Sequence, residues 1–221
     1  MKFDDRAQAG ELLAEALAKW RGSNPLVVAI PRGAVPMASV IAERLDGDLD
    51  IVLIRKLGAP GNPEFAIGAV DETGQTYLSD AADATATVRG YVEREIAAQL
   101  ETLRRRRALY TPAQQPLDPT GRVVIVVDDG LATGATMLAA LRMMRTKNPQ
   151  QLVCAVPVAS PEAIERVRPH ADEVVCLHAP IVFFAISQFY RAFSQIADDK
   201  VVAILRSSAQ RRAARAIAAN R

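Results

Sequence analysis

The sequence predicts an α/β protein in which a mostly parallel, twisted sheet is covered by helices on both faces. Two observations carry this. Short apolar runs rich in β-branched residues recur at 26–31, 122–128, 151–158 and 173–177, each with the length of a buried strand. Between them, 35–45, 134–146 and 161–168 return to helical spacing, and strands alternating with helices in this way form parallel sheets. Composition agrees: 221 residues, 50% hydrophobic and 24% charged with a net charge of +2, hold enough apolar surface for one core and too little net charge for a disordered chain.

From the N-terminus, residues 5–20 place Leu12, Leu13, Ala16 and Leu17 at helical spacing among charges, which predicts an amphipathic helix. Glycine, asparagine and proline at 22–25 end it. LVVAIP at 26–31 is the first buried strand, 35–45 the following helix, and DIVLIRKL at 50–57 a second strand that completes a strand-helix-strand unit. Residues 58–75 carry Gly58, Pro60, Gly61, Pro63, Gly68 and Gly74, too many for one regular element. A mobile loop is expected there, followed by a short hairpin with QTYLS as its second strand. Residues 83–109 read as a long polar helix whose arginines at 104–107 form a solvated end favoured by the helix dipole, rather than a binding patch. A proline-punctuated connector, 111–121, leads into the remaining strands and helices.

Residues 1–205 are read as one domain and 206–221 as a basic, Ala/Arg-rich helical tail. The tail holds five arginines and no acid, leaving 22 of the 27 bases against all 25 acids in the body. The basic character therefore belongs to the tail, and nucleic acid is not an expected partner. Cys154 and Cys176 sit in apolar runs, which argues against a disulfide, and two cysteines with only His170 and His178 leave no ordinary zinc site. The early acids do not resemble a signal peptide, and no run reaches the roughly 18 apolar residues of a membrane span. A cytoplasmic protein is expected, with its oligomeric state open and a homodimer among the options.

The segment richest in chemistry is VVIVVDDGLATGAT, residues 123–136. A buried strand stops abruptly at two adjacent carboxylates, Asp128 and Asp129, and a turn of small residues leads into a helix. In an open parallel sheet, ligands bind outside the carboxyl ends of the strands. Backbone N–H groups at the helix N-terminus, beside the hydroxyls of Thr133 and Thr136, make a phosphate cradle, and Gly134 lets the backbone approach closely. Neither G-x-x-x-x-G-K-[ST] nor a post-strand G-x-G-x-x-G is present, which removes P-loop and Rossmann sites. A monophosphate cradle preceded by two acids suits a ribose 5-phosphate, with carboxylates accepting from ring hydroxyls. If the acids merely capped the helix, two neighbouring charges would repel each other with nothing to compensate.

This segment resembles the 5-phosphoribosyl-1-pyrophosphate (PRPP) motif of the type I phosphoribosyltransferases. VVAIPRGAVPMASVIAERL at 27–45 is similar to the family's first strand and pyrophosphate turn, and DIVLIRKLGAPGNPEFAIGAV to the Arg-Lys strand end opening its flexible loop. The stretch 25–198, with PRG, RKLGAPGNPE and FF…QFY…FSQ, resembles an uncharacterised branch of that family. The resemblance implies a hood at about 178–198 and a Mg-dependent transfer of phosphoribosyl from PRPP to a nitrogen acceptor of nucleobase type, releasing pyrophosphate. It implies that Asp128 and Asp129 bind the ribose hydroxyls, that Ala132, Thr133, Gly134, Ala135 and Thr136 hold the 5-phosphate, that Arg32, Gly33 and Ala34 form the pyrophosphate turn, and that Arg55 and Lys56 neutralise the leaving group. The Mg2+ would be held by substrate oxygens and water rather than by direct protein ligands.

Oxopurine enzymes of the family place an aspartate immediately before Thr-Gly; Ala132 occupies that position, which disfavours hypoxanthine and guanine. Glu64 and Glu72 are read as solvated loop residues rather than the acid or base of the reaction. Phe183, Phe184, Phe189 and Tyr190 could stack on an acceptor ring or close the core, and His178 is read as a core histidine. A PRPP- or nucleotide-sensing regulator on the same fold, without turnover, is the alternative function; intact Arg55 and Lys56 favour the enzyme.

Overall fold

The computed structural model describes residues 1–78, 86–111 and 116–219, apart from the side chains of 62–66 and 86–89. The chain runs α1 (Arg6–Ala16), β1 (Leu26–Ala29), α2 (Val35–Arg44), β2 (Asp48–Ile51), β3 (Ile54–Ala59), β4 (Asn62–Asp71), β5 (Thr76–Leu78) and α3 (Ala86–Tyr110). It continues through β6 (Val123–Val127), α4 (Ala135–Arg145), β7 (Gln151–Val158), α5 (Pro161–Val167), β8 (Glu173–His178) and α6 (Asp198–Ala219). The main sheet is parallel throughout, in the order β2-β1-β6-β7-β8, and β3-β4-β5 form a separate antiparallel sheet.

The central strands β1, β6 and β7 are almost uniformly apolar because each side of the sheet has its own core. Alternate residues point to opposite faces. Val27, Ala29, Ile125 and Val127 enter the core shared with α1, α2, α3 and α6, whereas Val28, Val124, Val126 and Cys154 enter the core under α4 and α5. The cysteines stay free, and burial raises the Cys154 thiol well above its ordinary pKa. No helix among the described residues is long and apolar enough to cross a membrane.

Two expectations change. The run 50–57 is not one strand: β2 ends at Ile51, Val52 and Leu53 are buried at the sheet edge, and β3 begins the second sheet. Residues 58–75 are more regular than a loop, since β4 pairs with β3 across 54–71 with register shifts around Gly58 that absorb the irregular composition. Gly68 is needed where β4 meets β5, because a Cβ there would lie 2.4 Å from the Tyr77 carbonyl oxygen. Of QTYLS, Thr76–Leu78 are the strand, and Ser79 lies outside the described residues, as do 83–85 of the long helix and 112–115 of the connector.

The arginine run at the end of α3 divides. Arg104, Arg105 and Arg106 are exposed, but Arg107 turns inward, its Nη1 donating to Asp50 Oδ1 at 2.9 Å and its Nη2 to the Ile51 carbonyl at 2.9 Å, with Glu72 also in contact. Glu72 is therefore a largely buried ion-pair partner and not a solvated loop acid. Residues 206–219 continue α6 without a break; Arg211 reaches Ser39 and Glu43, and Arg215 pairs with Asp48.

Candidate functional site

All five strands of the main sheet end on one side, and there β6 runs into Asp128 and Asp129. Asp128 Oδ1 accepts the Asp129 N–H at 2.9 Å; no described residue hydrogen-bonds its other oxygen. Asp129 is held differently. Its Oδ2 accepts from Arg6 Nε at 3.0 Å and Nη2 at 2.9 Å. The remaining Arg6 nitrogen, Nη1, donates to the Ser194 carbonyl at 2.8 Å, and the guanidinium lies 3.9 Å over the Phe193 ring. Tyr190 adds a hydroxyl donated to the Asp129 carbonyl at 2.7 Å. Burial lifts the Asp128 carboxyl well above the usual carboxylate range, and the Asp129 charge lifts it further. Burial raises Asp129 as well, against the opposing pull of Arg6.

The turn after β1 meets these acids. A Cβ on Gly33 would stand 2.0 Å from Asp129 Oδ2, so only glycine lets the 32–34 turn lie this close to the carboxylate. The bond between Pro31 and Arg32 is cis. Arg32 reaches Asp198 at the start of α6, at 3.7 Å, and the same carboxylate accepts the Tyr110 hydroxyl at 2.5 Å. Burial, followed by that hydrogen bond, pushes the Tyr110 phenol up to about 12.

Residues 130–134 are drawn back against α5. Leu131 bridges Ala159, the Ser160 hydroxyl donates to the Ala132 carbonyl at 2.8 Å, and Arg166 Nη1 donates to the Thr133 carbonyl at 2.9 Å. Gly134 has φ +71° at the head of α4, where glycine is favoured, and a Cβ would lie only 3.2 Å from the Ala163 carbonyl oxygen. Ala132 and Thr133 are exposed and Ala135 and Thr136 half-buried; the first-turn amides of α4 have no acceptor within the helix, and the Ala135 N–H reaches the Thr133 hydroxyl at 3.4 Å. The result is an open helix N-terminus beside two carboxylates.

Structure thus brings together Asp128, Asp129, Gly33 and the loop 132–136. Arg55 and Lys56 lie on β3: Arg55 Nε donates to Gln99 Oε1 of α3 at 2.9 Å, and among the described residues no hydrogen bond or ion pair joins either cation to the acids or the loop. Lys56 lines a cavity of about 280 Å³ between the second sheet and α4, with Tyr77, Leu138, Arg142, Arg166 and Ala135 of the loop 132–136. The aromatics of 178–195 separate by role. Phe189 and Tyr190 are buried, Phe183 packs on Phe189 with ring centroids 5.1 Å apart, and Phe184 is 85% exposed. His178 is half-buried and packs edge-on to Phe189, and burial lowers its pKa. The side chain of Glu64 lies outside the described residues.

Arg6, Ser160, Arg166 and the Tyr190 hydroxyl are the site residues that sequence reasoning passes over. Arg6 had a signal: with Ala9, Gly10 and Leu13 it occupies the buried stripe of α1, and a charge on a core-facing stripe needs a buried partner.

Among known proteins, residues 5–194 match the phosphoribosyl transferase domain family. A crystal structure of TT1426 from Thermus thermophilus superposes with a TM-score of 0.85 at 48% identity, over 93% of this chain and 98% of that one. Rv0571c of Mycobacterium tuberculosis, provisionally named a phosphoribosyl transferase, is 42% identical over 207 residues, 92% of this chain and 46% of that protein. The chain thus spans about half the length of this curated relative. A shorter likeness, 39% over 59 residues, covers 27% of this chain and 28% of a uracil phosphoribosyltransferase of Clostridioides difficile. With the matching fold and the acid-and-loop geometry, the chain belongs to the phosphoribosyl transferase domain family.

Proposed function

We propose that this domain transfers the 5-phosphoribosyl group of PRPP to a nitrogen acceptor of nucleobase type, releasing pyrophosphate. The observation that carries the reading is the adjacency, at one end of the sheet, of the open α4 N-terminus, the carboxylate of Asp128 with a free oxygen, and the Gly33 turn packed on Asp129. The α4 amides with Thr133 and Thr136 would hold the 5-phosphate, and Asp128 would accept from a ribose hydroxyl. The 32–34 turn would face the pyrophosphate. As the C1–O bond to pyrophosphate breaks, its electron pair leaves with the phosphate oxygen; the acceptor nitrogen supplies the pair for the new C1–N bond and releases its proton to water. Positive charge gathers on the ring near Asp128, where a fixed carboxylate stabilises it.

The residues fit a magnesium ion bound mainly through substrate and water in one respect: Asp128 offers one oxygen without a hydrogen-bond partner to the ion's hydration shell. When bound, the ion would neutralise charge on the departing pyrophosphate. One observation favours ligand sensing without turnover, namely that Arg55 is engaged by Gln99.

The test is pyrophosphate release from PRPP and Mg2+ with adenine, hypoxanthine, guanine, uracil or orotate. Release that depends on one base, with hypoxanthine and guanine poor because Ala132 offers them no carboxylate, is the expected result. Binding of PRPP with no release for any acceptor would favour the sensor.

A further inference from the structure

We infer that Arg6 is a positioning residue for the PRPP site, acting through Asp129, and this rests on the function proposed above. Arg6 belongs to the first helix, far in sequence from the acids, yet its guanidinium is the most heavily engaged group near them. Two nitrogens grip one oxygen of Asp129, the third donates to the hood at Ser194, and the face of the group covers Phe193. The side chain is 9% exposed and that of Asp129 13%. Two donors of one planar group converging on a single oxygen hold that oxygen in place.

Three consequences follow for a polyanionic ligand. First, two adjacent carboxylates would oppose PRPP with two charges; Arg6 neutralises one of them and leaves Asp128 as the acid that meets the ribose. Second, the oxygen that Arg6 holds is the one packed on Gly33, so the same contact sets the pyrophosphate turn against the acid loop. Third, the bond to Ser194 links both loops to the hood, whose backbone is already paired to the N-terminus through Phe3 and Asp4, with Arg191 N–H donating to the Phe3 carbonyl and Ala192 N–H to that of Asp4, both at 2.8 Å. One side chain therefore sets the relative position of three ligand-facing segments.

A purely structural Arg6 would, when replaced, lower stability and leave the PRPP affinity of the folded protein unchanged. A positioning Arg6 lowers that affinity. The experiment is calorimetric titration with PRPP and Mg2+ of the wild type, Arg6→Gln, Arg6→Lys, Asp129→Asn and the double variant Arg6→Gln/Asp129→Asn, each first shown to be folded by its thermal unfolding transition. Arg6→Gln should raise Kd roughly 10- to 100-fold, the loss expected for hydrogen bonds to a charged group. Arg6→Lys, which keeps the charge without the fork, should fall between it and the wild type. In the Asp129→Asn background the Arg6 substitution should add little, because the two act as a unit. Unchanged affinity in folded Arg6→Gln and Arg6→Lys, or simple additivity with Asp129→Asn, would overturn the inference while leaving the proposed function standing. Should Arg6→Gln not fold, Arg6→Lys and its pairing with Asp129→Asn decide the matter by the same criteria. Failure of the wild type to bind PRPP would overturn both.

Discussion

Gly33 and Asp129 meet at the tightest point of the site, and the contact makes a sharp test at the scale of single residues. Because Arg6 fixes the carboxylate, Asp129 cannot swing aside for a methyl group, so Gly33→Ala should cost about 1–3 kcal/mol of stability, the usual range for overpacking. Chemical denaturation measures this, and an unaltered unfolding free energy would mean that the turn moves freely. Asp128, Asp129, Thr133 and Gly134 were legible in the sequence because they are neighbours in one strand-turn-helix segment, where local rules assign the backbone. Arg6 was not, because its partner lies 123 residues away and helical spacing alone does not name the partner of a buried charge. The hydroxyl of Tyr190 escaped for the same reason, being recognisable only as part of an aromatic cluster until the fold set it on the Asp129 carbonyl.

At the scale of elements, the instructive case is the run 50–57. Its apolar residues serve two sheets in turn, and periodicity cannot reveal where a chain leaves one ladder for another. What holds the departure in place is Arg107, whose guanidinium joins Asp50 at the end of β2 to Glu72 after β4. All three side chains are about nine-tenths buried, and Asp50 also accepts the Leu117 N–H at 2.7 Å. Arg107→Met would leave two buried carboxylates without their cation, and a loss of about 3–5 kcal/mol is expected from breaking one side of such a network. A loss below about 1 kcal/mol by denaturation would place it with exposed pairs instead. A string of four arginines at a helix end reads as solvated from sequence, and for three of them it is; the fourth faces inward because α3 packs along the second sheet.

For the molecule as a whole, alternation of strand and helix was enough to foresee the parallel sheet and its two covered faces. The strand order, the second sheet and the packing of α6 on α2 and β2 were not, since each depends on contacts between distant segments. The slight acidity of the body is compatible with an anionic ligand, because Arg6 neutralises one of the two acids at the site and other charges are paired with each other. The proposed function requires that the end of β6 and the head of α4 bind PRPP. Calorimetric titration with PRPP and Mg2+ of the wild type and of Asp128→Asn/Asp129→Asn tests it most directly. Saturable binding to the wild type, lost in a double variant that still unfolds in a cooperative transition, is the predicted result; equal binding to both proteins, or none to the wild type, would contradict it.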